Sequence, residues 1–310
     1  MGLSRLLSHR LEYAAVASLR AALRLLPRPP ALAAGSALGR MVGGLLARRR
    51  RIVDENLAAA FPDWTPADRI AVARRVWANL GRFAAEFARA PLSESEGSAL
   101  VQWEGQSYLA DALGRGRGAI CPTGHFGAWE TLPRMVAGAG YDVAVVAQAQ
   151  SNPMVEALIL RTRAAGGFRV LYQDHAVRES LKHLKRNGVL GILIDQHLWE
   201  GTIRVPFLGR AAATTTMVAA VARRTGAAIV PTGIRWATAG GAKAPPGSLA
   251  VGGESGNRHV MWCEPEIEVE RTDDAEADVR RATERVSAVL ERWIRAWPDQ
   301  WFWVHRRWKG

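Results

Sequence analysis

The sequence predicts an α/β protein, a mostly parallel central sheet flanked by helices, preceded by an N-terminal helical region that associates with a membrane. Three observations point there. From residue 100 onward, short apolar runs alternate with amphipathic stretches, the texture of strands and the helices that cover them. His125-Phe126-Gly127-Ala128-Trp129-Glu130 comes after the apolar run Gly118-Ala119-Ile120-Cys121-Pro122-Thr123 and precedes a helical apolar spacing, so it reads as a strand-to-helix turn carrying titratable groups. Residues 1–50 are rich in leucine, alanine and arginine, the composition of a helix lying in a membrane interface.

Leu3, Leu6, Leu7, Leu11, Leu19 and Leu23, interleaved with Arg5, Arg10, Arg20 and Arg24, predict a first helix that ends at Pro27, Pro29 and Pro30. Residues 31–47 form a second apolar segment closed by Arg48, Arg49, Arg50 and Arg51. That run suits anionic lipid headgroups, at about 1 kcal/mol per charge near such a surface, and equally suits a solvated helix face. Residues 52–90 read as helical, with a loop at 61–66 whose Thr65 or Asp63 caps the helix beyond it. Strands are expected at 118–122, 142–147, 168–172, 189–194, 227–234 and 260–269, and helices at 127–138, 153–165, 175–187, 214–225 and 274–296. The stretch 238–248 reads as a loop rich in glycine, proline and alanine. The boundary between the membrane-associating region and the α/β domain falls between residues 50 and 51.

At 310 residues the chain is long enough to bury a large core. A net charge of +12 implies an anionic partner: nucleic acid, a membrane surface, an acidic carrier protein or a phosphorylated substrate. Cys121 and Cys263 stand far apart with no C-x-x-C pattern, so neither a zinc site nor a disulfide framework is expected, and a reducing compartment is the simpler reading. Arg20, Arg28 and Arg40 leave no uncharged apolar stretch of the roughly 18 residues a spanning helix needs. Glu12 and Arg20 argue against a cleavable signal peptide.

His125 and Glu130 are the candidate catalytic pair. Positions five apart on a regular helix do not face each other, but a histidine in the turn before a helix escapes that restriction and is oriented by the carboxylate. A neutral imidazole then accepts a hydroxyl proton near pH 7, with the carboxylate fixing its tautomer. There is no G-x-S-x-G elbow, so the nucleophile is left to the substrate. The plainer reading makes His125 a helix-start histidine and Glu130 a first-turn acid favoured by the helix dipole. Asp195 ends the run from Val189, at the strand end where α/β sheets bind ligands, and is equally a turn residue. Asn152-Pro153 opens a helix carrying Arg163, a candidate clamp for phosphate or carboxylate. Val205-Pro206-Phe207-Leu208-Gly209 before Thr214-Thr215-Thr216 suits a lid or an apolar channel wall. The segment from Trp297 to Lys309 interleaves aromatics with bases, and stacking on nucleobases, seating at a membrane interface and packed indoles beside phosphate-facing Arg306 and Arg307 all remain open for it.

Taken in order, these pieces resemble the lipid A late acyltransferase family of lysophospholipid acyltransferases. The resemblance is carried by Asn56-Leu57 and Phe61-Pro62, by Gly124-His125-Phe126-Gly127-Ala128-Trp129-Glu130 as H-x-x-x-x-[DE], and by Asn152-Pro153 with Arg163. Asp195-Gln196, Val205-Pro206-Phe207 with Thr214-Thr215, and Pro298-Asp299-Gln300 through His305-Arg306-Arg307 continue it. One departure is visible: where the family usually shows a second acid two residues after Asp195, this chain has His197. The resemblance implies a glycerolipid acyltransferase-like fold on the cytoplasmic face of a bacterial inner membrane, moving an acyl chain from acyl carrier protein to a hydroxyl of a phosphorylated glycolipid. Both substrates are anionic, which suits the basic chain. It further implies His125 as general base oriented by Glu130, and substrate contacts from Arg163, Asp195, Asn152, Arg306 and Arg307. Neither a cofactor nor a metal is required, because the thioester is already activated. Another lipid acceptor, a mannosylated phosphoinositide or a lysophospholipid, is the nearest alternative. Nucleic-acid binding is the remote one, and no nucleic acid is expected as a partner.

Overall fold

A computed structural model describes residues 3–90, 100–196, 201–237 and 258–308. The 238–248 loop and His197 lie outside the described residues. Four helices come first: α1 (Leu3–Leu25), α2 (Arg28–Leu45), α3 (Ala47–Ala60) and α4 (Pro66–Arg89). Thr65 caps α4 through a capping box: its side chain accepts from the Asp68 N–H at 3.2 Å, and the Asp68 carboxylate accepts from the Thr65 N–H at 3.0 Å. Helix α2 lies hard against α4, so that a methyl group at Gly39 would collide with the Trp77 carbonyl and one at Gly35 with the Gly81 carbonyl. No single helix among the described residues is long and apolar enough to cross a membrane. Only α2 and α3 together, bent by 94°, meet that test by length and composition.

The α/β part contains β1 (Val101–Glu104), α5 (Gln106–Gly114), β2 (Ala119–Thr123), α6 (Leu132–Gly138), β3 (Val143–Ala147), α7 (Pro153–Ala164), β4 (Arg169–Tyr172), α8 (Ala176–Lys185) and β5 (Val189–Leu193). It continues with β6 (Thr202–Phe207), β7 (Arg210–Thr215), α9 (Met217–Thr225), β8 (Ala228–Ile229), β9 (Thr232–Trp236), β10 (His259–Cys263) and α10 (Ala275–Ala296). The main sheet has five parallel strands in the order β4-β3-β5-β2-β8. Both of its faces are apolar, as parallel sheets require. Ile120, Leu190 and Ile192 feed one core cluster, and Ala119, Cys121 and Val189 the other.

Besides β1 and α5, which the sequence expectation lacked, the structure departs from it in four places. The strand expected at 227–234 is two: β8 pairs with β2, then the chain passes Val230 and Pro231 and β9 joins a second sheet, β1-β10-β9. Proline has no N–H for a ladder, so Pro231 suits a change of sheet. The strand expected at 260–269 keeps only Cys263 as its far end, with a single further bridge from Ile267 to Ile229. The helix expected from 127 begins only at Leu132, because Gly127 takes φ +57° and its N–H binds the Gln300 carbonyl at 2.9 Å. Glu130 therefore lies in the turn before α6. Finally, the lid-like stretch after residue 200 is an antiparallel hairpin, β6 with β7, closed by Leu208 and Gly209 at φ +51° and +79°, and because β7 takes Thr214 and Thr215 the helix expected from 214 begins only at Met217. Both central residues at positive φ is the twist a two-residue hairpin prefers. The strained Leu208 is held by full burial and by its N–H to Glu291 Oε2 at 2.7 Å.

Candidate active site

Register builds the site. Strands β2 and β5 are parallel neighbours with Thr123 opposite Leu193, and the Ile194 N–H donates to the Thr123 carbonyl at 3.0 Å. Residues two past each paired end, His125 and Asp195, therefore leave the sheet side by side. Gly124 makes the approach possible, since a Cβ there would stand 3.0 Å from Asp195 Oδ2 and 2.9 Å from Leu290.

The orienter of His125 is Asp195, which corrects the expectation for Glu130. His125 Nδ1 lies 2.8 Å from Asp195 Oδ1, and the His125 backbone N–H donates to Oδ2 at 2.7 Å. The Trp301 indole N–H donates to the same Oδ2 at 2.7 Å. Burial alone would raise the Asp195 pKa, but attraction to His125 and the donors from His125 and Trp301 outweigh it and hold the carboxyl below its ordinary value. An ionised Asp195 assigns the imidazole proton to Nδ1. Nε2 is then an acceptor, and the Gln196 amide nitrogen sits 3.1 Å from it. The ring is mostly enclosed, at 16% side-chain exposure, between Trp129 at 5.2 Å and Phe302 at 5.7 Å between centroids. Trp129 is itself stacked on Phe83 of α4 at 3.6 Å.

Glu130 is taken by another partner. Its two oxygens receive Arg163 Nε at 3.1 Å and Nη2 at 2.6 Å, a bidentate pair in which both side chains are 14% exposed. Burial works to lower the Arg163 pKa, yet the hydrogen bond and charge of Glu130 leave it above its ordinary value. The reason for the changed pairing is local: with α6 starting at Leu132, Glu130 points from an irregular turn, and α7 brings Arg163 to it.

The remaining predicted residues divide. Asn152 is buried and fully engaged: its Oδ1 accepts from the Met154 N–H at 3.0 Å as the cap of α7, and its Nδ2 donates to the His9 carbonyl and Glu12 Oε2 of α1, both at 2.9 Å. Its amide is committed to tying α1 to α7 rather than held free for a substrate. Arg306 is exposed, whereas Arg307 is 1% exposed, donating to the Ala213 carbonyl and to Thr214 Oγ1 at 2.6 Å and lying over Phe207. Burial pushes the Arg307 guanidinium down to about 10, although Asp195 pulls it upward. Sequence reasoning missed Gln196 and Trp301 as partners of the dyad. The first was signalled only by adjacency to Asp195, and the second only by the unexplained aromatic density of the tail.

An apolar cleft of about 590 Å³, part of it open to solvent, lies against the sheet below Glu130 and Arg163, lined by Trp129, Val136, Val145 and Gly191. A second cleft of about 430 Å³ adjoins the same ion pair from the α4 side, lined by Phe83, Glu86 and Arg134. Cys121 borders the first cleft, but burial pushes its thiol up to about 12, so it is no thiolate at neutral pH. Among the described residues the imidazole's hydrogen-bond partners are Asp195 and Gln196, neither a nucleophile. No group of three histidine, cysteine or acidic side chains among these residues could hold a metal ion.

An α/β protein with a histidine base, a buried carboxylate behind it and an apolar cleft alongside has the equipment of a transferase whose nucleophile arrives on the substrate. Comparison with known proteins gives the particular family. The family described as bacterial lipid A biosynthesis acyltransferase matches residues 3–310, and this chain belongs to it. The lipid A biosynthesis lauroyltransferase of Escherichia coli (strain K12) is 25% identical over 292 residues, spanning 92% of this chain and 87% of the relative. The lipid A biosynthesis palmitoleoyltransferase of the same strain and the lipid A biosynthesis acyltransferase of Shigella flexneri are each 24% identical over 290 residues, at 92% and 86% coverage.

Proposed function

We propose that this chain transfers a fatty acyl group from an acyl carrier protein thioester to a hydroxyl of a phosphorylated glycolipid, a lipid A precursor, with His125 as general base. The observation that carries the proposal is the His125–Asp195 dyad with an accepting Nε2 and no protein nucleophile bonded to it among the described residues. The acceptor hydroxyl displaces the Gln196 amide and donates to Nε2. As its proton passes to His125, its oxygen attacks the thioester carbonyl. The tetrahedral intermediate collapses by breaking the carbon–sulfur bond, and the imidazolium returns the proton to the departing thiolate. Base assistance of this kind contributes about 10² to 10⁴ in rate. Asp195 stabilises the transient imidazolium, and the apolar cleft beside Trp129 takes the acyl chain. Glu130 acts through Arg163, fixing the wall shared by the two clefts.

The same reading puts the chain on the cytoplasmic face of the inner membrane, as a peripheral or monotopic protein. Leu6, Leu7 and Leu11 of α1 and Leu38, Met41 and Leu45 of α2 are exposed apolar side chains, and Arg5, Arg10, Arg40 and the four arginines from Arg48 stand among or beside them. Buried apolar area and attraction to anionic lipid together hold such helices in an interface. The net charge of +12 suits both an acidic carrier protein and a phosphorylated acceptor.

Mass spectrometry tests the proposal. Purified protein is incubated with mixed acyl carrier protein thioesters and a panel of acceptors that includes lipid A precursors, lysophospholipids and mannosylated phosphoinositides. A single added acyl group on a lipid A precursor, absent with His125→Ala, is the expected product. Acylation of another lipid alone would reassign the acceptor, and acyl release at the same rate without any acceptor would make the protein a hydrolase.

A further inference from the structure

The C-terminal aromatic segment packs inward, on a course set by the backbone. The Phe302 N–H donates to the His125 carbonyl at 3.1 Å, the Gly127 N–H donates to the Gln300 carbonyl at 2.9 Å, and Phe126 and Trp301 form an antiparallel bridge between these bonds. The tail is thus laid along the catalytic loop as an extra strand would be. At Gly127 the packing is so close that a side chain would strike the Ile234 carbonyl. The bridge aims Trp301 inward. Its ring is 2% exposed, edge-on to Phe207 at 5.6 Å and to Trp303 at 4.6 Å. With its plane fixed on both sides, the indole N–H has one acceptor, Asp195 Oδ2, at 2.7 Å.

We propose that Trp301 is a positioning residue for acyl transfer, its indole N–H holding the Asp195 carboxylate turned so that Oδ1 meets the imidazole of His125. Two N–H donors, the His125 backbone and the indole, occupy Oδ2, which leaves Oδ1 free for the ring. The proposal rests on the reading of His125 as general base. It separates from ordinary packing in one respect. A buried tryptophan usually needs a partner for its N–H, and if that were all, replacing it would change stability alone.

The sign of the effect comes from charge. The charged groups facing Asp195 are His125 from the β2–α6 loop and Arg307 from the tail; α10 presents Leu290 to the adjoining Gly124, and the hairpin presents Phe207 to Trp301. Removing the indole donor leaves the carboxylate charge less dispersed and more fully available to the imidazolium. The acidic limb of the rate profile therefore moves upward.

The experiment is a double-mutant cycle in the full-length protein, with Trp301→Phe, Asp195→Asn and both together, following acyl transfer from the thioester to the glycolipid across pH. Trp301→Phe is expected to lower kcat about tenfold, a fraction of what general-base assistance supplies, with KM within about twofold. Its acidic limb in kcat/KM should rise by about half a pH unit to one. In the Asp195→Asn background the same replacement is expected to cost nothing further. A wild-type rate and profile for Trp301→Phe, or a loss that multiplies in full with that of Asp195→Asn, overturns the positioning role while leaving the dyad standing. A wild-type rate for Asp195→Asn itself overturns the dyad reading and the proposal with it. Should Trp301→Phe fail to fold, indole ¹⁵N–¹H spectra of the wild type and Asp195→Asn read the same bond. One strongly downfield indole resonance that moves upfield in Asp195→Asn is expected, and a spectrum without such a change overturns the proposal.

Discussion

Asp195 and Glu130 are two carboxylates beside one loop, and the structure uses them differently. Asp195 is 2% exposed and surrounded by N–H donors, one of them the ring that carries the proposed chemistry. Glu130, at 14% side-chain exposure, is closed in a two-pronged pair with Arg163 and joins α7 to the turn before α6. Glu130 is five residues from His125 in sequence and does not touch its ring nitrogens, whereas Asp195 is 70 residues away and does. A carboxylate's place in the register of a parallel sheet decides its chemistry more than its distance along the chain.

Mutations can break that contrast. The largest effect is expected for His125→Ala, a fall of about 10³ or more in kcat/KM with the fold retained, measured by acyl transfer and circular dichroism. Asp195→Asn should come next, with a loss of about 10² to 10³, because an amide no longer selects the tautomer with its proton on Nδ1. The same variant should alter acid unfolding. Asp195 has a depressed pKa in the folded state, so its contribution to stability is present above the unfolded value of about 3.9 and is lost as pH falls through the lower folded value. Asp195→Asn should therefore flatten the wild-type stability loss below about pH 4, measured by denaturant unfolding at a series of pH values.

Glu130→Gln should cost less in rate, about tenfold, and proportionally more in stability, about 1–3 kcal/mol, since it leaves Arg163 with half of its partner. The acidic limb of its pH profile should stay in place. If Glu130→Gln matched Asp195→Asn in rate and shifted that limb, the division of labour between the two carboxylates would collapse. Asn152→Ala should have the smallest effect on catalysis. It loses the cap of α7 and the tie to α1, about 1–2 kcal/mol in thermal unfolding, with kcat within about twofold.

Much of this was legible in the sequence, and the exceptions share a cause. The central strands β2, β3 and β5 could be found because a parallel strand covered on both faces is an unbroken apolar run. His125 and Asp195 could each be found at a strand end. Their pairing could not, because pairing depends on which strands are neighbours and in what register, and no local pattern encodes Thr123 opposite Leu193. The spacing of Glu130 from His125 suggests a pair only with a helix from residue 127, and the positive φ of Gly127 removes that helix. The β6–β7 hairpin escaped for a related reason. A proline inside β6 and a leucine at a positive-φ turn both argue against a hairpin locally, and the burial of Leu208 overrides them. In the tail, aromatic density was visible but its target was not, since Trp301 meets Asp195 across 106 residues.

Those separations also bear on when the site comes into being. The contacts that complete it, between β2 and β5, between the tail and the catalytic loop, and between the indole and the carboxylate, all join segments 70 or more residues apart. Loop closures of that length come late in folding, after local helices have formed. A chain still emerging from the ribosome can complete α1 to α4 and the first strands while residue 301 is unmade, and during that interval Asp195 lacks its indole donor. The full set of bonds around Asp195 is thus assembled only in the finished fold.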